Sequence, residues 1–280
     1  MRNSLPAMLR RTIVATILVL VAFAPFALAQ NADSVLRIGY QKYGTLVLLK
    51  AHGSLEKRLA PLHVDVKWTE FPAGPQLLEG LNVGSIDFGT VGEAPPIFAQ
   101  AAGADLVYVA NEPPASAAEA ILVPKDSSIK AVTELKGKKV ALNKGSNVHF
   151  LLVKLLERAG VNYTDIDTIF LAPADARAAF ERGSVDAWVI WEPFLAAAQR
   201  QTGARILADG NGVVSNHQFF LASRPYATKR ADVVAIILEE VAAVDQWAKA
   251  NPKEAAAALQ PQIGLAGFCS AAFCPRHGRW

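Results

Sequence analysis

The sequence predicts an α/β chain folded as two similar lobes, each a mostly parallel sheet flanked by helices, with a hinge of two chain crossings. Three observations predict it. A twenty-residue phrase occurs twice: LNVGSIDFGTVGEAPPIFAQ at Leu81–Gln100 and FERGSVDAWVIWEPFLAAAQ at Phe180–Gln199. Gly84, Ser85, Asp87, Glu93 and Gln100 recur in register as Gly183, Ser184, Asp186, Glu192 and Gln199, each 99 residues later. Strand-like and helix-like periods alternate along the chain, the pattern of layered α/β folds. Turn-rich breaks at Asn111–Ser116 and Asp209–Gly212 interrupt that pattern twice.

Each copy of the phrase reads the same way. A helix ends at glycine, Gly84 or Gly183, which takes the left-handed conformation cheaply. An apolar strand follows, Ile86–Thr90 or Val185–Ile190, then a glutamate turn. A proline, Pro95 or Pro193, opens the next helix. Ligands of open α/β sheets bind outside the carboxyl ends of the strands. Two such edges face to face describe a clamp.

The elements follow in order. Val35–Tyr40 is a strand, and Tyr43-Gly44-Thr45 opens a helix through Ala51 that Gly53 closes. Val64–Trp68 alternates as a strand, and Pro72–Pro75 starts a helix to Val83. After the first repeat, Pro95–Ala102 is a helix and Leu106–Ala110 a strand. Beyond the first break, Ala120–Val123 and Lys139–Leu142 are strands. The next helix carries Val148, Leu151, Leu152 and Leu155 at i, i+3, i+4 and i+7, and Gly160 ends it. Ile166–Leu171 is a strand and Ala174–Arg182 a helix. After the second repeat come strands Arg205–Leu207 and Phe219–Ala222, the long helix Ala231–Ala250, and a short helix from Pro252 to about Leu259. The breaks divide the chain into lobe I, 30–115 plus 216–280, and lobe II, 116–215.

The ends differ in kind. Arg2, Arg10 and Arg11 precede an apolar run, and Ala27-Leu28-Ala29 supplies small residues at a cleavage site. Residues 1–29 therefore read as a secretory signal peptide, the apolar run being short for a spanning helix. Residues 266–280 form an atypical tail without apolar periodicity, read as a truncated or frame-shifted end. It holds both cysteines, Cys269 and Cys274, which an oxidising compartment would allow to pair. Net charge is only +3 and the basic residues are scattered, which gives no support for nucleic-acid binding. The five histidines are scattered too, so neither a metal site, a cofactor nor a catalytic triad is expected.

Helix N-termini attract anions through unsatisfied amides and the helix dipole. Up to four start at one cleft here, near Gly44-Thr45, Glu93-Ala94, Ser146-Asn147 and Glu192-Pro193. Thr45 and Ser146 can add hydroxyl donors, or simply cap their helices. Tyr43, Trp188 and Trp191 are candidates for an apolar wall. Glu93 and Glu192 could bind the ligand, cap their own helices or hold the lobes together. Asp87 and Asp186 read as structural groups at strand starts, and His149 as packing or support. The ligand that suits this set is small, anionic at one end and partly apolar or zwitterionic.

The phrases LRIGYQKYGTLVLLKAHG, EFPAGPQLLEGLNVGSIDFGTVGEAPPIFAQAAG, KKVALNKGSNVHFLL, DAWVIWEPFLAAAQ and SNHQFFLASR together resemble the periplasmic substrate-binding proteins of ABC importers. The resemblance is to the branch for aliphatic sulfonates, taurine and nitrate, and most to the aliphatic-sulfonate binders. It covers Gln30 to about Leu265. It implies a type II-like fold, no catalysis, and capture of an organosulfonate by a monomer for delivery to a membrane permease and its ATPase. The family's cleft positions carry over to Gln41, Gly44 and Thr45, to Gly92 and Glu93, to Ser146, Asn147 and Trp191, and to Asn216 and His217. Taurine or nitrate is the alternative ligand. The thiamine-pyrimidine synthases share the fold, but their motif is cysteine-rich in the interior, where this chain has no cysteine.

Overall fold

The computed structural model describes residues 34–263. The expected signal peptide and the atypical tail, with its cysteines, lie outside the described residues. Two five-stranded sheets make the two lobes. The first contains β1 (Val35–Tyr40), β2 (Asp65–Glu70), β3 (Phe88–Gly92), β4 (Leu106–Asn111) and β10 (Gln218–Ser223), in the order β2-β1-β3-β10-β4. The second contains β5 (Glu119–Val123), β6 (Lys139–Leu142), β7 (Asp167–Phe170), β8 (Ala187–Trp191) and β9 (Arg205–Asp209), in the order β7-β6-β8-β5-β9.

The mostly parallel sheets each carry one reversed strand. β10 runs antiparallel to β3 and β4, and β5 runs antiparallel to β8 and β9. Both are the first strand after a crossing, and this explains their direction. A chain that leaves one lobe at the cleft enters the other at the cleft and must run away from it. The first residues of these two strands, Glu119 and Gln218, therefore stand at the same edge as the last residues of the parallel strands.

The helices cover these sheets. They are α1 (Thr45–His52), α2 (Ser54–Leu59), α3 (Gly74–Asn82), α4 (Ala94–Ala101), α5 (Asn147–Ala159), α6 (Pro173–Glu181), α7 (Phe194–Thr202), α8 (Arg224–Lys229), α9 (Ala231–Ala250) and α10 (Pro252–Ile263). In α1, Leu46, Val47, Leu48 and Leu49 are all buried, because α9 and α10 pack against it as well. A helix apolar all round belongs in a core. α2 and α8 escape a sequence reading because each is six residues long, too short for a readable period. On α5, Val148, Leu151, Leu152 and Leu155 are buried and Gly160 is left-handed, as the periodicity predicts.

The repeat is a repeat of bonding. Gly84 and Gly183 have φ of 72° and 71°, and Ser85 and Ser184 donate backbone N–H to Gly80 and Ala179 at 2.9 Å each. Asp87 N donates to Arg37 O while its carboxylate accepts from the Arg37 amide at 2.9 Å. Asp186 does the same with Lys139, its carboxylate accepting from the Lys139 amide at 2.8 Å. These bonds occupy the strand entry, so the ladders begin later than expected: at Phe88 rather than Ile86, and at Ala187 rather than Val185. Ile38 pairs with Phe88 as Val140 pairs with Ala187.

The crossings are bonded to each other. Ala115 N donates to Ser215 O at 3.1 Å, Asn216 Nδ2 donates to Ala115 O at 3.0 Å, and Glu112 N donates to Gln218 O at 2.8 Å. Asn216 sits at φ 51°, a left-handed conformation that asparagine tolerates better than most residues.

Candidate ligand-binding cleft

A cavity of about 30 Å³ lies where the strand edges of the two lobes meet. Lobe I contributes Gln41, Tyr43, Gly92 and Pro95, and lobe II contributes Glu119, Ser146, Asn147 and Trp191. The return crossing adds Asn216 and Gln218. Among the described residues that line it, none is Lys, Arg or His. The volume holds roughly two waters, so entry of any organosulfonate requires the lobes or their side chains to part.

Asn147 joins the lobes. At the first position of α5, its Oδ1 accepts from the amide of Ala94, the first residue of α4, at 3.2 Å. Its Nδ2 donates to Asn216 Oδ1 at 2.7 Å. This approach depends on Gly92, where an added Cβ would stand 2.1 Å from the Asn147 amide group. Ser146 is buried beside it and its hydroxyl donates to Asn143 O at 2.7 Å. His149 shapes the same loop: its Nδ1 accepts from Gly145 N at 3.1 Å and its Nε2 faces the Tyr163 hydroxyl at 2.9 Å. That arrangement needs a neutral ring, and burial followed by the nearby Lys144 charge holds its pKa below the usual histidine range.

Other expected positions do different work. Gly44 and Thr45 do not line the cavity. The Thr45 hydroxyl donates to Asp245 Oδ1 on α9 at 2.7 Å. The Glu112 carboxyl also lies beside Thr45 and within 3.9 Å of a Cβ placed on Gly44. The α1 terminus thus already faces two acids of its own chain. Glu93 holds the return crossing, its Oε1 accepting from Asn216 N at 3.0 Å and its Oε2 from His217 N at 3.3 Å. His217 Nδ1 donates in turn to Glu112 O on the other crossing at 3.1 Å. Glu192 instead caps its own helix, accepting from Ala196 N at 3.0 Å. Glu93 thus ties the return crossing to the β3–α4 turn, and Glu192 caps its own helix. Trp188, expected as a cleft wall, is fully buried against Phe180, whereas Trp191 reaches the cavity.

Sequence reasoning missed Glu119 and Gln218, because a reversed strand places its first residue at the cleft. Glu119 is 1% exposed, and burial with the charge of Glu93 pushes its carboxyl up to about 8. Burial and Asp245 push Glu112 up to about 7 against the hydrogen bonds of Thr45. Tyr43 is raised by burial and by Glu112, Glu119 and Glu192. Glu119 is the acid among the described lining residues, and burial favours its neutral form.

Comparison with known proteins fits this geometry. Residues 63–255, more than half of the chain, match the family described as NMT1/THI5 like. The solved alkanesulfonate-binding protein SsuA from Xanthomonas axonopodis pv. citri, bound to MOPS, is 47% identical with a TM-score of 0.79, covering 83% of this chain and 80% of that one. The periplasmic aliphatic sulphonate binding protein SsuA from Escherichia coli is 51% identical with a TM-score of 0.73, covering 83% and 79%. A curated relative from Escherichia coli (strain K12), provisionally named for aliphatic sulfonates, is 49% identical over 248 residues, covering 88% of this chain and 77% of its own length. A desulfurization enzyme shares the fold at 15% identity and a TM-score of 0.64, so fold alone does not separate binding from catalysis. Identity and coverage do place the sequence: this chain belongs to the NMT1/THI5-like family and, within it, to the aliphatic-sulfonate-binding proteins.

Proposed function

We propose that this protein is the periplasmic solute-binding component of an ABC importer and captures aliphatic sulfonates for sulfur supply. It acts as an exported monomer without a cofactor, carrying its ligand to a membrane permease and its ATPase, and it catalyses no reaction. Lobe I (30–115 plus 216–280) and lobe II (116–215) close around the ligand about the two crossings. The observation that carries this reading is the α5 N-terminus. Ser146 and Asn147 line the cavity together with Gln41 and Trp191, with no basic side chain in the described lining. Amide and hydroxyl donors satisfy a monoanion with three acceptor oxygens, and the Trp191 face suits an attached carbon chain. The MOPS in the Xanthomonas relative is itself a propanesulfonate.

The test is thermal unfolding of the mature chain with ethanesulfonate, butanesulfonate, taurine, sulfate and nitrate. A ligand that binds only the native state raises the apparent stability. Alkanesulfonates should raise Tm most and be recovered unchanged, with sulfate weaker. Equal stabilisation by nitrate, or by taurine alone, would move the assignment to those branches.

A further inference from the structure

Glu119 is buried and lines the cavity. It opens β5 at the cleft edge beside Gln41, Asn147, Trp191 and Gln218. Neither of its carboxyl oxygens has a hydrogen-bond partner. The ionisable group that acts on it directly is Glu93 at the β3–α4 turn, and Tyr43, which shares the cavity lining before α1, also feels Glu112 on the first crossing and Glu192 at the β8–α7 turn. His217 on the return crossing is turned to the Glu112 carbonyl. Every acid there opposes a second negative charge, and no base offers compensation among the described lining residues.

A sulfonate presents only acceptors, and so does a carboxylate. Facing each other in a closed cavity, the two would repel. One proton on the carboxyl changes an acceptor into a donor. We propose that Glu119 is protonated when the site is filled and that its O–H donates a hydrogen bond to a sulfonate oxygen. This rests on the sulfonate reading above and adds to it the state in which a carboxyl in the lining accepts an anion. The environment supports it, since burial and Glu93 already favour the neutral acid in the empty cleft. A bound sulfonate adds negative charge and holds the proton more tightly, so binding takes up protons near and above the carboxyl's own pKa.

The experiment is titration calorimetry with ethanesulfonate from pH 7 to 9.5, in buffers of different ionisation enthalpy. Wild type should bind about tenfold more weakly at pH 9 than at pH 7, since a required proton is lost above about 8, and should show net proton uptake. Glu119→Gln keeps a neutral donor of the same shape. It should bind within roughly threefold of wild type at pH 7 with a flat profile, whereas Glu119→Ala should lose about tenfold or more at pH 7. Melting curves of both variants report whether they fold, and the glutamine variant decides if the alanine variant does not. A flat wild-type profile, or the same pH loss in Glu119→Gln, overturns the proposal. So does affinity that rises with pH with proton release on binding taurine, because Glu119 would then be an ionised partner for the ammonium. A wild-type chain that binds no sulfonate at any pH overturns the functional reading itself, a result distinct from sulfonate binding without pH dependence.

Discussion

Gly92 and Trp191 occupy the same place in the two copies of the repeat, each ending a strand at the cleft, and they do opposite work. Gly92 is a gap that lets Asn147 of the other lobe reach the first amide of α4. Trp191 is a wall. The helix starts differ in the same way. The α1 terminus faces Glu112 and Asp245 through Thr45, while the α5 terminus opens on the cavity. The scaffold is duplicated and the chemistry is divided. On the reading proposed above, lobe II supplies the anion-reading end and lobe I the socket into which it closes.

The largest expected effect breaks the socket. Gly92→Ala puts a methyl group where the Asn147 amide stands, and that amide is held on both sides. Overpacking of about 1–3 kcal/mol should weaken sulfonate binding roughly ten- to hundredfold. Gly183→Ala, where an added Cβ meets open space but φ is 71°, should lower stability and leave affinity unchanged. Calorimetry giving equal affinity losses for both would show that Gly92 is only a backbone requirement.

A smaller effect separates the two helix starts. Ser146→Ala should weaken sulfonate binding about three- to tenfold, since Ser146 lines the cavity and its hydroxyl proton, given to Asn143 O in the empty cleft, would turn to the ligand. Thr45→Ala should change affinity less than about twofold while lowering Tm, because Asp245 loses the hydroxyl that donates to it, while Glu112 keeps the backbone amide of residue 45. Equal affinity losses would end the asymmetry argued here.

The smallest effect concerns pH. Glu112 and Glu119 have folded values of about 7 and 8 against an ordinary value of 4.5. The native state therefore keeps protons that the unfolded chain has lost. Their stability contribution is full below pH 4.5 and declines as pH rises towards 8. Tm should fall by a few degrees between pH 6.5 and 8.5, at roughly 2–4 °C per kcal/mol, and Glu119→Gln should reduce the fall. His149 acts with the opposite sign below pH 6.5, where protonation would cost it the bond from Gly145. A Tm that rises between pH 6.5 and 8.5 would show that the cleft acids are ionised.

Much of the architecture was legible because it is periodic. The bounds of α9 are Ala231–Ala250, as its pattern reads, and β6 is Lys139–Leu142, as its apolar run reads. The aspartates were legible as structural because they precede the strands rather than follow them. Thr45 misleads because any hydroxyl at a helix start looks like a donor to a ligand. Its partner, Asp245, lies 200 residues away on a helix that packs against α1.

The sequence by itself determined a duplicated α/β pattern, most of its helices and strands, and a set of up to four helix starts expected at one cleft, of which those of α4 and α5 line the cavity. Those properties are local, written in spacing, glycine placement and a 99-residue register. The tertiary structure alone decided which terminus stays open, which glutamate ties the crossings, and which carboxyl faces the cavity. Each depends on groups brought together from distant parts of the chain. Glu119 shows the physical reason most directly. Its place at the cleft follows from the direction in which a strand enters a sheet, and no pattern within β5 records that direction.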